Sequence, residues 1–210
     1  MENFKQVPGI YHRQIGKFLI TALCDGYMAY ENFEIFRDPD QQKLMACLGG
    51  ETRISPPVIS INAFLVRDGS RAILIDCGSG DIMGPTCGRL PELLDMLGLS
   101  SDAVTDILLT HIHPDHYDPV FLKAYFDRFG KKTILIANHN QNYLAKKMVG
   151  DQLEATIVKD KIKIGMTTIE IVPHQTGSDS DIDSVLILKY QDKSRIHTLV
   201  NANDVVFNDA

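Results

Sequence analysis

The sequence has no tryptophan, no Cys-x-x-Cys pair, no long run of one charge and no continuous apolar stretch of membrane-spanning length. Each absence excludes something. A helical membrane crossing needs about 20 consecutive apolar residues, and the polar opening MENFKQVPGIYHRQIGKF, broken by Pro8 and Gly9, carries no apolar signal region. With a net charge of −6 and no Lys/Arg stripe, the surface offers nothing to neutralise a nucleic-acid backbone or an anionic bilayer. The four cysteines, Cys24, Cys47, Cys77 and Cys87, suggest no framework of disulfides; a chain this long does not need one, and they read as reduced thiols of a cytoplasmic protein. What remains is ordinary globular material. The 210 residues are 44% hydrophobic and 23% charged, enough for one domain over 1–210 with no internal repeat.

The pattern starts and ends β-rich. Ile10 to Arg13 and Phe18 to Leu23 read as a hairpin about Gly16-Lys17, and Val58 to Val66 with Ala72 to Ile75 as a second pair across Asp68-Gly69-Ser70. Residues 26–57, with Asp38-Pro39-Asp40, Gly49-Gly50 and Pro56-Pro57, read as a loop excursion holding one short helix. Phe33, Phe36 and Met45 are candidates there to line a pocket, and equally to pack on the sheet. In the middle the period changes: Leu90, Leu93, Leu94 and Leu97 share one helical face between Pro91 and Gly98. Ile107 to Leu109 is a short buried strand. Helices follow at 119–129, burying Leu122, Tyr125, Phe126 and Phe129, and at Gln141 to Met148, with a strand from Lys132 to Ala137 between them. Strands at 154–158, 161–164, 167–172, 184–190 and 196–201 complete two sheets with helices outside.

The chemistry gathers at His111-Ile112-His113-Pro114-Asp115-His116. If the pitch of the preceding strand persists, His111 and His113 point the same way and share one cation, while Asp115 and His116 turn toward a second. Imidazole with carboxylate suits zinc, and also iron or manganese. A single histidine means little, but three with an aspartate in six residues at the end of a buried strand make a metal site. No nucleophile elbow competes, and Gly78-Ser79-Gly80 lacks the Lys-Ser/Thr of a phosphate loop, so it reads as a flexible strand-to-helix turn.

HIHPDH resembles the His-x-His-x-Asp-His signature of the metallo-β-lactamase superfamily, which implies an α/β fold, a four-layer αββα sandwich with the metals between its sheets. Ala72-Ile-Leu-Ile-Asp76-Cys-Gly78 is similar to the family's strand ending in Asp-x-Gly, and implies that Asp76 orients the histidine loop. By the same resemblance His174, in Ile169-Glu-Ile-Val-Pro-His174, is the third histidine, and Asp204, in Leu199-Val-Asn-Ala-Asn-Asp204, bridges the metals. The implied ligand set is His111, His113, Asp115, His116, His174 and Asp204 around two divalent ions, zinc first, manganese or iron as alternatives. Val7 to Arg13, Ile20 to Gly26 and Met83 to Leu90 look like the methyl parathion hydrolase and lactonase branch. Asp115 to Pro119, Asp183 to Leu186 and Val200 to Asp204 look more like the branch typified by ascorbate-6-phosphate lactonase.

The departures lie at Tyr117-Asp118-Pro119, where many relatives have Gly-Gly and where the pocket floor is reshaped, at Asn203, and after Asp204. No histidine follows Asp204, so the family's last ligand and its terminal helix are expected to be missing, through either a fragment or a true truncation. His197, His139 and His12 read as outward-facing surface residues. The resemblance implies hydrolysis of an ester, lactone or phosphoester by a metal-bound hydroxide, with Asp115 as the catalytic residue that orients it and returns a proton. Its partner is a small-molecule substrate, and a homodimer is left open. The alternatives are a degenerate, non-catalytic binding protein of this fold and a di-iron redox protein.

Overall fold

The computed structural model describes residues 8–29, 58–69, 71–100, 103–110, 113, 116–129, 133–137, 155–158, 161–164, 166–175, 182–191 and 193–201. β1 (Ile10–Ile15) and β2 (Phe18–Ala29) form the expected hairpin, with Ile15 opposite Phe18 and Gly16 at φ 57°, which a two-residue hairpin turn demands. β2 runs on to Ala29 instead of ending near Leu23. The Asp25-Gly26 pair is a bulge within the strand: Cys24 stands opposite Asn62 and Gly26 opposite Ile61 of β3 (Val58–Arg67), leaving Asp25 as the extra residue. The rest of the expected excursion, including Phe33, Phe36 and Met45, lies outside the described residues.

β3 turns through Asp68 into β4 (Ala72–Ile75), whose side is closed by the Arg71 amide donating to the Asp68 carboxylate at 3.1 Å. From β4 the sheet becomes parallel, through β5 (Asp106–Leu109), β6 (Thr133–Ala137) and β7 (Ala155–Val158), giving seven strands in sequence order. Four antiparallel strands make the second sheet: β8 (Lys161–Ile164), β9 (Thr167–Gln175), β10 (Ile182–Gln191) and β11 (Ile196–Asn201), in the order β11-β10-β9-β8. β9 continues past Val172 through Pro173. Pro173 stands opposite Ser184 of β10, beyond the stretch Thr167 to Glu170 that pairs with β8.

Two helices are described, α1 (Leu90–Met96) and α2 (Pro119–Phe129). α1 buries Leu90, Leu93 and Leu94, the face read from the leucine spacing. Leu122 of α2 is buried as expected, while the side chains of Tyr125, Phe126 and Phe129, and the helix expected at Gln141 to Met148, lie outside the description.

β4 and β5 divide the interior. Leu74, Ile107 and Leu109 face a core shared with α1 and α2, whereas Ile73, Ile75 and Leu108 face Ile169, Ile171, Leu186, Leu188 and Tyr190 of the second sheet. Phe18 meets Tyr190 edge-on at 4.7 Å between ring centroids, joining the first hairpin to that inner layer. Helix, sheet and sheet are thus three layers of an α/β sandwich; on the outer face of the four-stranded sheet no helix lies among the described residues. No described helix is long and apolar enough to cross a membrane.

His197 differs from its expected outward direction. It pairs with Tyr190 in the β10–β11 ladder and so shares that residue's inward face, where its ring lies 6.2 Å from the tyrosine ring and against Gly16. His12 is half-buried, with Nδ1 2.9 Å from the Thr21 hydroxyl across the hairpin. His139 lies outside the described residues.

Candidate metal centre

β2 and β4 both run antiparallel to β3, and β5 is parallel to β4. The carboxyl ends of β2, β4 and β5 therefore open on one edge of the sheet, and that edge carries the site. Asp76 follows β4 with φ 60°, a left-handed conformation that costs most L-residues about 1 kcal/mol or more. Its surroundings hold it there. Its amide donates to the Leu108 carbonyl at 2.8 Å, and Oδ1 accepts from the Thr110 amide at 2.9 Å and the Thr110 hydroxyl at 2.8 Å. The remaining oxygen, Oδ2, lies 2.9 Å from Nδ1 of His116.

A carboxylate only accepts, so the imidazole donates from Nδ1, and in the neutral ring Nε2 is the nitrogen that holds the lone pair. This is the arrangement that a histidine needs as a metal ligand, and the carboxylate partner both fixes the ring and raises its basicity. The amides of His116 and Tyr117 donate to the His113 carbonyl at 2.9 and 3.0 Å, which closes a turn. The strand itself ends at Leu109, and Thr110 is a bend. The strand pitch thus stops before His113, which opens the turn instead.

Cys77 locks the turn from below. Its amide donates to the His116 carbonyl at 3.0 Å, and its sulfur accepts from the Asp118 amide at 3.1 Å. Burial pushes the Cys77 thiol well up; the hydrogen bond from the Asp118 backbone opposes it, and the carboxylates of Asp76, Asp118 and Asp25 add to the rise. It is a neutral packing residue, free of any disulfide, as are the half-buried Cys24 and Cys87; Cys47 lies outside the description. Tyr117 is buried beside it, and its phenol is pushed upward by burial first and by Cys77 and Asp118 second.

Asp118 caps α2, its carboxylate accepting from the Val120 amide at 2.8 Å with Pro119 in the first turn, where a missing N–H is harmless. The same carboxylate lies against Gly80, where a Cβ would meet it at 2.3 Å. Gly78-Ser79-Gly80, expected as a flexible turn, is therefore tied down: Gly78 and Ser79 are buried, and the Ser79 amide donates to Asp25 at 3.0 Å.

Of the six ligand candidates, the structure brings His116 and His113 together in one turn beside Asp76. His174 lies in β9 of the other sheet, with its backbone opposite Asp183 one residue before the strand ends; its side chain is outside the description. His111, Asp115 and Asp204 lie outside the described residues, and among the described residues no three candidate ligands form a cluster. Asp25 is the residue that sequence reading missed. A charged side chain inside the apolar run Ile20 to Met28, followed by glycine, is the signal of a bulge that re-aims it.

On the same sheet edge, Tyr27, Met28 and Ala29 of β2 face Met83, Gly84, Pro85 and Thr86 across a cavity of about 430 Å³. The Thr86 hydroxyl donates to the Tyr27 carbonyl and holds the two walls together.

The profile of the metallo-beta-lactamase superfamily matches residues 56–117, from β3 through the histidine turn. No curated protein sequence matches the chain. Among solved structures, a hydrolase of the beta-lactamase superfamily, AbOPH, is 26% identical with a TM-score of 0.67, over 96% of this chain and 76% of its own. AidC, a dizinc quorum-quenching lactonase solved with its product, is 18% identical with a TM-score of 0.64, over 90% of this chain and 73% of its own. The metallo-beta-lactamase fold protein YhfI from Bacillus subtilis is 14% identical with a TM-score of 0.54, over 90% and 64%. The matched segment contains Asp76, Thr110 and His116, the residues whose hydrogen bonds build the site, and the likeness in fold extends over both sheets: residues 56–117 match the metallo-β-lactamase superfamily, and the chain has the fold of that superfamily.

Proposed function

We propose that this chain is a metal-dependent hydrolase that opens an ester, lactone or phosphoester. The superfamily includes metal-dependent hydrolases, lactonases among them. The observation that carries the reading is the buried Asp76 carboxylate on Nδ1 of His116. A ligand histidine needs its ring fixed and its lone pair aimed, and a buried carboxylate on Nδ1 supports both.

His111, His113 and His174 are proposed to hold one divalent ion, and Asp115, His116 and Asp204 a second. Bound ions supply an acidified water and polarise the scissile carbonyl or phosphoryl oxygen. Asp76 keeps the His116 ring in its ligand tautomer, and Thr110 keeps Asp76 from turning away. The Asp115 carboxylate orients the attacking water and passes its proton to the leaving oxygen. The cavity between Tyr27–Ala29 and Met83–Thr86 takes the apolar portion of the substrate, since it opens on the same sheet edge.

The test is elemental analysis of purified protein, paired with turnover of aryl esters, lactones and phosphotriesters before and after chelation. Two zinc or manganese ions per chain and hydrolysis lost on chelation support the reading. Full turnover by Asp115→Ala overturns the role of Asp115. A coloured protein with iron and no hydrolysis supports redox chemistry instead, and a chain that takes up no metal supports a binding role.

A further inference from the structure

Asp25 is wholly buried, yet its acceptors meet no cation among the described residues. Oδ2 accepts from the amides of Ser79 at 3.0 Å and Gly88 at 3.2 Å, and Oδ1 from the amide of Leu90 at 2.8 Å. The Asp25 carbonyl accepts a fourth bond, from the Arg89 amide at 3.1 Å. One residue thus closes both ends of the loop that runs from Asp76 to α1.

We propose that Asp25 is a positioning residue for the metal centre, setting the aim of Asp76, and through it the His116 ring, by clamping this loop. The inference rests on the proposed metal-dependent function. Its physical content is a lack of slack. Gly78 lies so close that a Cβ on it would stand 2.5 Å from the Asp25 carboxyl carbon, and its φ of 71° bends the chain against that carboxylate. Only Cys77 and Gly78 separate Asp76 from the clamped amide of Ser79, and Asp76 to Ser79 are all buried. Cys77 is itself pinned by its amide to the His116 carbonyl. A displacement of Ser79 therefore has nowhere to go but into the strained backbone of Asp76, whose Oδ2 fixes the imidazole. The bulge makes this possible, because it turns one residue of β2 out of the ladder and toward the loop.

Asp25→Asn keeps the shape and sets an NH2 against at least one backbone N–H. Leu93→Ala is the comparison: it opens a cavity under α1 without touching the clamp. Three readouts are taken: zinc affinity in competition with a chromophoric chelator, the ¹⁵N signal of the His116 ring in metal-free protein, and amide exchange. Asp25→Asn is expected to weaken zinc binding about tenfold or more and to lose the fixed Nδ1–H form of His116, while Leu93→Ala keeps both. Unchanged zinc affinity and tautomer in Asp25→Asn overturns the inference, as does an equal loss in Leu93→Ala. Should Asp25→Asn fail to fold, unaltered protein serves. Coupling is reciprocal, so zinc must slow exchange at the amides of Ser79, Gly88 and Leu90 as it does at Thr110; no change there overturns the inference. A wild-type chain that binds no zinc overturns the metal-dependent function and this inference with it, whereas wild-type binding with an indifferent Asp25→Asn removes the inference alone.

Discussion

The two sheets bury their residues differently. β4 and β5 are covered on both faces: every residue from Ala72 to Ile75 and from Asp106 to Leu109 is buried. Among the described residues, β9 to β11 are covered on one. Leu186, Leu188 and Tyr190 are buried while Lys189 between them is exposed, and Val172 and Val200 stand out from the other face. The difference explains where chemistry is placed. A polar group at the end of a doubly packed strand cannot relax by shifting the strand, because both neighbouring layers resist it. Asp76 and Thr110 occupy such ends, and their hydrogen bonds hold a left-handed residue and an imidazole in fixed relation.

Removing that placement has the largest expected effect. Asp76→Ala removes the carboxylate that accepts from the buried amide and hydroxyl of Thr110, at a cost of about 2–4 kcal/mol, and releases His116, so metal affinity falls roughly 10- to 100-fold. Denaturant unfolding and chelator competition check the two parts separately. Next, Leu108→Ala in the inner core is expected to cost about 2–5 kcal/mol, and Val200→Ala on the outer face of the second sheet less than about 0.5 kcal/mol. Equal losses in a urea titration would mean that both sheets are packed alike, and the contrast would fail. A smaller effect concerns reactivity: Cys77, buried and with its thiol pushed up, should alkylate at least about tenfold more slowly than Cys24 and Cys87 in the folded protein. Mass spectrometry of peptides after timed treatment resolves the three. The smallest is a pH effect. Burial, and secondly the charge of Arg67, lower His12 below its ordinary value of 6.5. The unfolded chain then binds more protons than the folded one between the two values, so stability drops as pH falls from 6.5 through that window. His12→Gln should flatten this slope in unfolding midpoints measured at pH 7 and pH 5.

Much of this was open to reading in the linear chain. Alternation marks both hairpins and the four antiparallel strands, and the leucines at 90, 93, 94 and 97 mark α1. Asp76 was legible because its strand ends in Asp-x-Gly. Asp25 was legible only as a bulge, from a charge before glycine in an apolar run; the amides it meets lie 54 to 65 residues away. The direction of His197 was hidden for a related reason: the strand pattern gives two faces, and only the register against Tyr190 says which one is inside. Asp118 could have been read as a helix cap from the proline after it, but its closeness to Gly80 depends on how the loop returns.

The bulge in β2 also bears on how the length of this chain can vary. Hairpin turns and surface loops tolerate inserted or missing residues, because neighbours outside them need not move. Between Leu23 and Tyr27 there is no such freedom. Asp25 is the one residue without a partner on β3, and the strand comes back into register immediately after it. Loss of a single residue here would bring Tyr27 to the place of Gly26, where even a methyl group would meet the backbone of Thr86 and Cys87 at 2.5 Å. Substitution can alter this stretch, but its residue count is fixed by the backbone that crosses it.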